Sequence, residues 1–375
     1  MTKDEYRKVI NEIVYLSGCV INDIVPDEKK FKDIDLDALY KIAEKHFLTA
    51  ITGLALEKVG IYDNKFVQAK AKSVRKIAAM EIYKKQLFDK LEDEKIWYAQ
   101  LKGTVIKELY PTFGIRQMSD FDILFDKAYA EKVKEIMLKL GFTCDHFGKG
   151  SHDVYFRPPV CNFEMHRQLF GETSKRELYL YYKDVKRRLI KNNDSNYGYK
   201  FSPDDLYIYI TAHEYKHYIS GGTGLRSLLD TYVIWQKLGE SMNEGYIRKE
   251  VRKLGIEAFE KTNKSLALKL FSGKPFSLSD KESKMFEYMV FSGVYGNMEN
   301  HINNTVRRNG DGKKGKLLFL VKRIFLPMYI IKEYYPVFYK YKILIPFLFF
   351  YRIVKAVTVS REKTMNSLKI LKNIR

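Results

Sequence analysis

The first 95 residues carry apolar side chains at the spacing of amphipathic helices. Between residues 4 and 21 apolar positions recur three and four residues apart, which places them on one face of a helix. Residues 36–59 repeat this spacing in two shorter pieces, and residues 64–93, rich in Lys, Ala and Glu, predict one long helix. The pattern therefore predicts an N-terminal helical region.

After residue 95 the pattern changes to short apolar runs typical of strands, separated by helical segments. The strand-like runs lie at residues 96–101, 123–125, 142–147, 153–157 and 160–169, and the helical segments at 105–110 and 127–140. Glycine and proline breaks between the last three runs favour antiparallel strands that complete a small mixed sheet. From Gly171 to about residue 300 the pattern again predicts helices.

These patterns predict an α+β protein in which a small mixed-sheet core is flanked by N-terminal and C-terminal helical regions. The predicted domains are residues 1–95, 96–170, 171–305 and 306–375. A chain of 375 residues is long enough for this, since domains usually contain about 100 to 200 residues. The three cysteines form no Cys-x-x-Cys pair, so we expect neither a disulfide framework nor a cysteine zinc site, and a cytoplasmic location.

Two acidic residues stand directly before the second strand-like run. Asp120 and Asp122 are two positions apart, so on a strand their side chains point to the same face. Two neighbouring carboxylates repel each other unless a cation lies between them, and carboxylate oxygens suit Mg²⁺ with its substrate phosphates. The pair predicts half of a two-metal phosphoryl-transfer site, although Asp-x-Asp alone also occurs often among solvated acids at strand ends.

A second candidate phosphate-binding element lies upstream, where the first strand turns into a helix at Lys102, Gly103 and Thr104. Glycine allows backbone amides to approach a phosphate, and a helix N-terminus favours an anion. Lys102 adds a positive charge and Thr104 adds a hydroxyl group. We expect this turn to bind part of a triphosphate.

A strand, a Gly-Thr turn, a helix and then Asp-Phe-Asp on a second strand resemble the polymerase-β-type nucleotidyltransferase superfamily. The arrangement is most similar to a bacterial branch called the uncharacterised nucleotidyltransferase family. The matching positions are Leu101, Lys102, Gly103, Tyr110, Arg116 and Asp120-Phe121-Asp122. The superfamily more often has Gly-Ser at the turn and a shorter gap before the acids.

This resemblance implies a third carboxylate on a neighbouring strand. Strand alternation in residues 160–169 places Asn162, Glu164 and His166 on one face, so Glu164 is the candidate. By resemblance, Asp120, Asp122 and Glu164 are catalytic and hold two Mg²⁺ ions, with Mn²⁺ as the alternative ion. The triphosphate is expected on Lys102, Gly103, Thr104 and Arg116, and His166 is a candidate on the acceptor side.

A different motif occurs in the predicted helical region, where residues 213–217 read His-Glu-Tyr-Lys-His. Two histidines one helical turn apart with a glutamate between them match the helix of zinc metalloproteases. The further glycine and histidine of metzincins are absent, because Ser220 and Thr223 occupy those positions. The segment also resembles the helical part of the uncharacterised nucleotidyltransferase family, and two interpretations stay open. Either His213, His217 and Arg226 face the acceptor or triphosphate across a cleft, or they are interior or helix-pairing residues, with Arg226 and Asp230 as a helical ion pair.

The net charge of +20 is concentrated in residues 306–375, the basic tail, which contain 17 Lys and Arg against three acids. The tail begins with a Gly- and Lys-rich stretch at residues 310–316, typical of a flexible linker, and continues with 12 Phe and Tyr between residues 319 and 351. Its longest uncharged apolar run, residues 343–351, is much shorter than the roughly 18 to 20 residues of a membrane span. Either these aromatics pack inward, or the tail binds an anionic membrane or nucleic acid.

The sequence thus predicts a Mg²⁺-dependent nucleotidyltransferase that moves a nucleoside monophosphate from an NTP to an unidentified acceptor, which is a small molecule, a protein or an RNA end. The alternatives are a non-catalytic basic peripheral binding module with the same fold and, third, a zinc metalloprotease. The expected location is the cytoplasm, or the inner membrane face if the tail binds lipid.

Overall fold

A computed structural model describes residues 1–31, 34–294, 296–310 and 312–374. The N-terminal region is helical, as the apolar spacing predicted. Its helices are α1 (Lys3–Ile21), α2 (Leu36–Lys45), α3 (Thr49–Glu57) and α4 (Asn64–Asp93). Side-chain caps fix where they begin: the Thr2 hydroxyl accepts from the Glu5 amide before α1, and Asp63 does the same for α4.

The chain then alternates between strands and helices. The elements are β1 (Tyr98–Leu101), α5 (Gly103–Ile106), β2 (Phe121–Phe125), α6 (Ala130–Lys139), β3 (Thr143–His146), β4 (His152–Arg157) and β5 (Cys161–His166). All five predicted strands are present, and β3, β4 and β5 pair antiparallel as expected. The helix predicted at residues 105–110 begins earlier and ends in a 3-10 turn, Lys107–Leu109.

Residues after Gly171 are not purely helical, so that part of the prediction is wrong. Helix α7 (Arg176–Tyr182) is followed by two strands, β6 (Leu189–Lys191) and β7 (Gly198–Phe201). Strand β7 pairs in parallel with β1, and β6 pairs antiparallel with β7. The sheet therefore has seven strands in the order β3-β4-β5-β2-β1-β7-β6. The helices α8 (Pro203–Ser220), α9 (Leu225–Leu238), α10 (Glu244–Lys253), α11 (Glu257–Phe271) and α12 (Asp280–Ser292) follow.

The two faces of the sheet contact different apolar cores because side chains alternate along each strand. Phe121, Ile123 and Phe163 point to the face covered by α4 and α6. Leu101 and Leu124 point to the opposite face, where a larger core joins α1 and α3 with α8, α9 and α11. Asp122 is two positions before Leu124 on β2, so its carboxylate points to the same face as Leu124, towards α8 and α9. This alternation decides on which face the acids lie.

The basic tail is almost entirely helical. Helix α13 (Met298–Asn309) leads into it, and its own helices are α14 (Gly312–Ile324), α15 (Met328–Tyr334), α16 (Pro336–Lys340), α17 (Ile345–Val357) and α18 (Arg361–Asn373). The predicted flexible linker is wrong for residues 312–316, which form the start of α14; Asp311 lies outside the described residues. Helix α14 begins there because Gly315 packs directly on the backbone of α13.

A small apolar cluster holds the tail helices to one another. It comprises Ile302 and Val306 of α13, Phe319 of α14 and Leu371 of α18. Among the described residues, no single helix has both the length and the apolar character needed to cross a bilayer. The segments Lys342–Val357 and Arg361–Asn373 satisfy that test only when taken together, and they meet at a bend of 88°.

Candidate active site

A cleft of about 330 Å³ lies between the sheet and helices α8 and α9. Ten of the eleven residues that the sequence singled out line it. They are Lys102, Gly103, Arg116, Asp120, Asp122, Glu164, His166, His213, His217 and Arg226. A larger cavity of about 900 Å³ lies beside α1 and α12 and contains none of them. We take the smaller cleft as the candidate site because it is the one lined by the predicted acids and cations.

Thr104, the eleventh residue, does not line the cleft, so its predicted contact with phosphate has no support in the structure. Its side chain is completely buried. Its hydroxyl accepts a hydrogen bond from the Asp122 amide, with the nitrogen and oxygen 3.1 Å apart. This hydrogen bond therefore ties the start of α5 to the backbone of β2 at Asp122.

The sheet register brings the acids together. Strands β2 and β5 are parallel, and Asp122 lies directly opposite Glu164. Asp120 precedes β2 and lines the same cleft. Burial first, and then the negative charges of Asp122 and Glu164, raise the pKa of Asp120 to about 6. The charges of Asp122 and Glu164 therefore act on Asp120.

Lys102 lies between two of these acids. Its ammonium nitrogen is 2.7 Å from Asp122 Oδ1 and 3.8 Å from Glu164 Oε2. Burial alone would lower the pKa of Lys102, but the two carboxylates outweigh burial and the pKa rises. Burial would likewise raise the pKa of Asp122, yet Lys102 and His166 hold it well below its ordinary value. Lys102 and Asp122 are therefore both charged at neutral pH.

The backbone at Lys102 is in an unusual conformation, with φ of 48° and ψ of −127°. A positive φ at a residue with a side chain costs on the order of 1–3 kcal/mol and persists only where the surroundings enforce it. The strain turns the chain sharply between β1 and α5. As a result, the lysine side chain points into the cleft instead of continuing the strand.

A group of three possible metal ligands stands at one end of the cleft. His152, Glu164 and His166 each offer a donor atom, and these atoms lie within 4.8 Å of one another. The Nε2 atoms of His152 and His166 are 3.6 Å and 3.5 Å from Glu164 Oε2. His166 Nε2 also donates to Asp122 Oδ1 at 2.8 Å. Burial raises the pKa of Glu164, but the hydrogen bond from His166 and the charge of Lys102 together lower it.

His152 also lines the cleft. It pairs with His166 across the antiparallel strands β4 and β5. Burial, and then the proximity of His166, lower the pKa of His152 to about 4, so this imidazole is neutral at physiological pH. The pairing of β4 with β5 places His152 beside His166, and this register was not evident from the sequence. Lys216, one turn after His213, also lines the cleft and was missed.

Arg116 is held by an ion pair that the sequence did not predict. Its Nε and Nη2 atoms donate to the two oxygens of Asp230 at 2.8 Å and 2.7 Å, and the Tyr110 hydroxyl donates to the same carboxylate at 2.8 Å. The predicted pair between Arg226 and Asp230 is therefore wrong: Arg226 instead donates to the Gln117 carbonyl at 2.9 Å. The bidentate geometry of Arg116 with Asp230 explains this preference.

The third nitrogen of the Arg116 guanidinium, Nη1, points towards the turn. A methyl group added at Gly103 would lie 2.5 Å from Nη1, so only glycine permits this approach. Arg116 thus reaches across Gly103 into the cleft while Asp230 holds its other side. The turn and Arg116 form one cationic wall.

The two histidines of the His-Glu-Tyr-Lys-His motif face the cleft from α8. Their Nε2 atoms are 3.2 Å apart. Glu214 points elsewhere and accepts from Asn263 at 3.1 Å and Thr231 at 3.4 Å. Burial and then Asp230 raise the pKa of Glu214 well above its ordinary value.

Among the described residues, the group of three possible metal ligands is His152, Glu164 and His166. No third ligand of this kind lies beside His213 and His217 in that part of the chain. Of the downstream acids, Glu244 is engaged with Lys264 at 3.0 Å. Nothing in the described part of the chain supports the metalloprotease interpretation.

Comparison with known proteins gives one result. A family model described as "uncharacterised nucleotidyltransferase" matches residues 32–272. This match includes all seven strands of the sheet and all eleven candidate site residues that the sequence singled out. No curated protein and no solved structure matches the chain.

Proposed function

The chain belongs to the uncharacterised nucleotidyltransferase family, and we propose that its cleft transfers a nucleoside monophosphate from an NTP to an acceptor. One observation supports this proposal most. Asp122 and Glu164 lie opposite each other on parallel strands, Asp120 precedes the first of them, and all three face a cleft whose other wall is cationic. The roles given to these residues follow the resemblance to polymerase-β-type nucleotidyltransferases.

In the proposed reaction an acceptor oxygen forms a bond to the α-phosphorus of the NTP. The bond from that phosphorus to the oxygen bridging to the β-phosphate breaks, and pyrophosphate leaves with the bond's electron pair. The proton of the acceptor passes to a carboxylate. Asp120 binds a proton more readily than Asp122 or Glu164, because its pKa is raised to about 6 while theirs are lowered. We therefore assign the proton to Asp120.

The residues of the cleft fit a divalent cation. Asp122 and Glu164 lie opposite each other on β2 and β5, Asp120 lines the same cleft, and the Lys102 ammonium nitrogen lies 2.7 Å from Asp122 and 3.8 Å from Glu164. The charges of Asp122 and Glu164 add to burial in raising the pKa of Asp120. Asp120, Asp122 and Glu164 would hold Mg²⁺ through oxygen, and the imidazoles of His152 and His166 suit Mn²⁺ as well. Bound there, the ion would neutralise charge on the phosphates.

The triphosphate would occupy the side of the cleft lined by basic groups. Lys102, Arg116 and Lys216 point into it from three elements. Burial and then Lys102 lower the pKa of Lys216, so an arriving anion would favour its charged form. His213 and His217 remain for the acceptor. A cavity of about 330 Å³ is at the small end for ligand sites, so part of the substrates would lie outside it.

A second candidate function is binding without turnover. The observation that favours it is the contact of 2.7 Å between Lys102 and Asp122, because an ammonium group there takes a position that a metal ion would use. A protein of this kind would bind nucleotides through its basic groups and would not require Mg²⁺. The two functions differ in whether pyrophosphate is released.

The test uses each NTP labelled at the α-phosphate, incubated with the purified protein, Mg²⁺ and fractionated lysate. We expect one fraction to become labelled with release of pyrophosphate, and we expect Asp122→Asn to abolish labelling while the fold is retained. Asp194→Asn, an exposed acid between β6 and β7, is the matched control and should keep full activity. Unchanged transfer by Asp122→Asn would refute the mechanism, and nucleotide binding with no pyrophosphate from any fraction would favour the second candidate.

A further inference from the structure

The outward face of helix α17, together with the turn before it, is apolar. Ile343, Phe347, Phe350, Val354 and Val357 recur three or four residues apart, so they lie along one side. Between 43% and 84% of each residue's surface is exposed. We call these five residues the apolar stripe. A helix of a soluble protein normally turns such a stripe inwards.

The inward face of α17 has the opposite character. Leu348 is fully buried, but beside it Arg352 also points inwards. Its guanidinium donates to the Tyr335 hydroxyl at 3.0 Å and to the Arg323 carbonyl at 2.8 Å. The helix is therefore fixed to the tail through Arg352 and Leu348, while Phe347 and Phe350 stay in solvent. The aromatics of the stripe do not serve the protein's own core.

Basic side chains flank the apolar stripe. Lys340, Lys342, Lys355, Arg361 and Lys363 are all exposed. The tail as a whole carries 17 basic residues against three acids. The stripe thus lies in a field of uncompensated positive charge.

We propose that the apolar stripe and its flanking cations form a docking surface for an anionic phospholipid bilayer. Aromatic and aliphatic side chains enter the boundary between headgroups and acyl chains, and the lysines and arginines contact the phosphates. This surface is independent of the proposed transferase site, since it lies outside the family-matched residues 32–272.

The geometry favours a helix that lies on the membrane over one that crosses it. Helix α17 has 13 residues, which is about 20 Å of helix, whereas the hydrocarbon core is about 30 Å thick. The next helix, α18, departs at 88° and carries Arg361, Lys363, Lys369 and Lys372. These charges belong at the phosphate level, so they hold α17 in the interface.

The same residues argue against two other occupants. Three of the five stripe residues are aliphatic and have no ring to stack on a base, unlike the platforms that bind single-stranded nucleic acid. A second copy of the chain would bring two strongly basic tails together, and their like charges would repel. An anionic lipid surface would bury the apolar stripe and would also supply negative charges to the cations.

The test is sedimentation of the full chain with phosphatidylcholine vesicles and with vesicles that also contain phosphatidylserine, at low and high salt. We expect binding to the anionic vesicles alone, weakened by salt. The double variant Phe347→Ser/Phe350→Ser should bind at least about ten-fold more weakly, because two aromatic insertions are lost. Lys355→Gln/Arg361→Gln should lose about five-fold per charge.

The matched control replaces two exposed aromatics outside the tail, Tyr62→Ser/Phe113→Ser, and should bind like the unaltered protein. Because every altered residue is exposed, circular dichroism should show unchanged folding. Equal recovery with neutral and anionic vesicles would overturn the proposal, as would an equal loss in the control. If the vesicles are not bound and an RNA oligonucleotide binds in a salt-sensitive way that needs Phe347 and Phe350, the stripe is a nucleic-acid site instead. If the vesicles are not bound and self-association needs these two residues, the stripe is an interface between two copies of the chain.

Discussion

Replacing Asp120 by asparagine should make the protein more stable at neutral pH, although it removes a residue of the proposed active site. Burial and the charges of Asp122 and Glu164 raise the pKa of Asp120 to about 6 from an ordinary value of 3.8. The folded protein therefore resists ionisation of this carboxyl group. Asparagine keeps its shape and cannot ionise.

The sign and size of the effect follow from the two pKa values. Well below pH 3.8 the carboxyl group is protonated in both the folded and the unfolded chain, so it contributes no penalty. As the pH rises, the unfolded chain ionises first, and the penalty grows until the folded pKa of about 6 is passed. A difference of about two pKa units corresponds to about 3 kcal/mol of unfolding free energy. Asp120→Asn should raise the free energy of unfolding by up to that amount above pH 6 and leave it unchanged in acid.

The measurement is urea unfolding of both proteins near pH 4 and near pH 8, with a chelator present. Asp194→Asn provides the control, since that side chain is exposed and its replacement should shift the unfolding free energy by less than about 0.5 kcal/mol at either pH. Adding Mg²⁺ near pH 8 should stabilise the unaltered protein more than Asp120→Asn, because the ion relieves the same repulsion. A variant that is destabilised near pH 8, or stabilised equally at both pH values, would refute this reasoning.

Two further variants test the rest of the cleft. Asp230→Ala should lower the unfolding free energy, measured with urea, by about 3–5 kcal/mol, because it leaves the buried Arg116 guanidinium and the Tyr110 hydroxyl without their partner. The double variant Arg116→Met/Asp230→Leu should lower it less, because neither charge is then left unpaired. A loss below about 1 kcal/mol for Asp230→Ala would show that the pair does not hold Arg116. His217→Ala should leave the zinc content of the purified protein unchanged by elemental analysis, and stoichiometric zinc that disappears in this variant would revive the metalloprotease interpretation.

The acidic half of the site was predictable because it depends on local alternation. Asp120 and Asp122 share a face by their spacing, and Glu164 was placed on its face by the pattern of residues 160–169. Both inferences need only the two-residue period of a strand. The fold class followed from the same periods, and the family match agrees with it.

The residues that sequence reasoning missed depend on contacts between distant parts of the chain. Arg226 and Asp230 are close in sequence, yet Asp230 binds Arg116, which is 114 positions away. Strands β6 and β7 have only three and four residues, too few to show a period; β7 is stabilised by pairing with β1, and β6 by pairing with β7. His152 became part of the cleft only through the register between β4 and β5.

The short connection between β7 and α8 ties the two sides of the cleft to each other. Strand β7 lies beside β1 in the floor, ends at Phe201, and is followed after Ser202 alone by α8, whose His213 and His217 form the roof. The Ser202 hydroxyl also accepts from the Asp205 amide, which fixes the start of the helix. Floor and roof are therefore connected through a single residue, and the cap at Ser202 fixes the direction in which α8 leaves β7. The position of the two histidines over the sheet is thereby tied to the position of β7, so a change that displaces this strand also displaces the roof of the cleft.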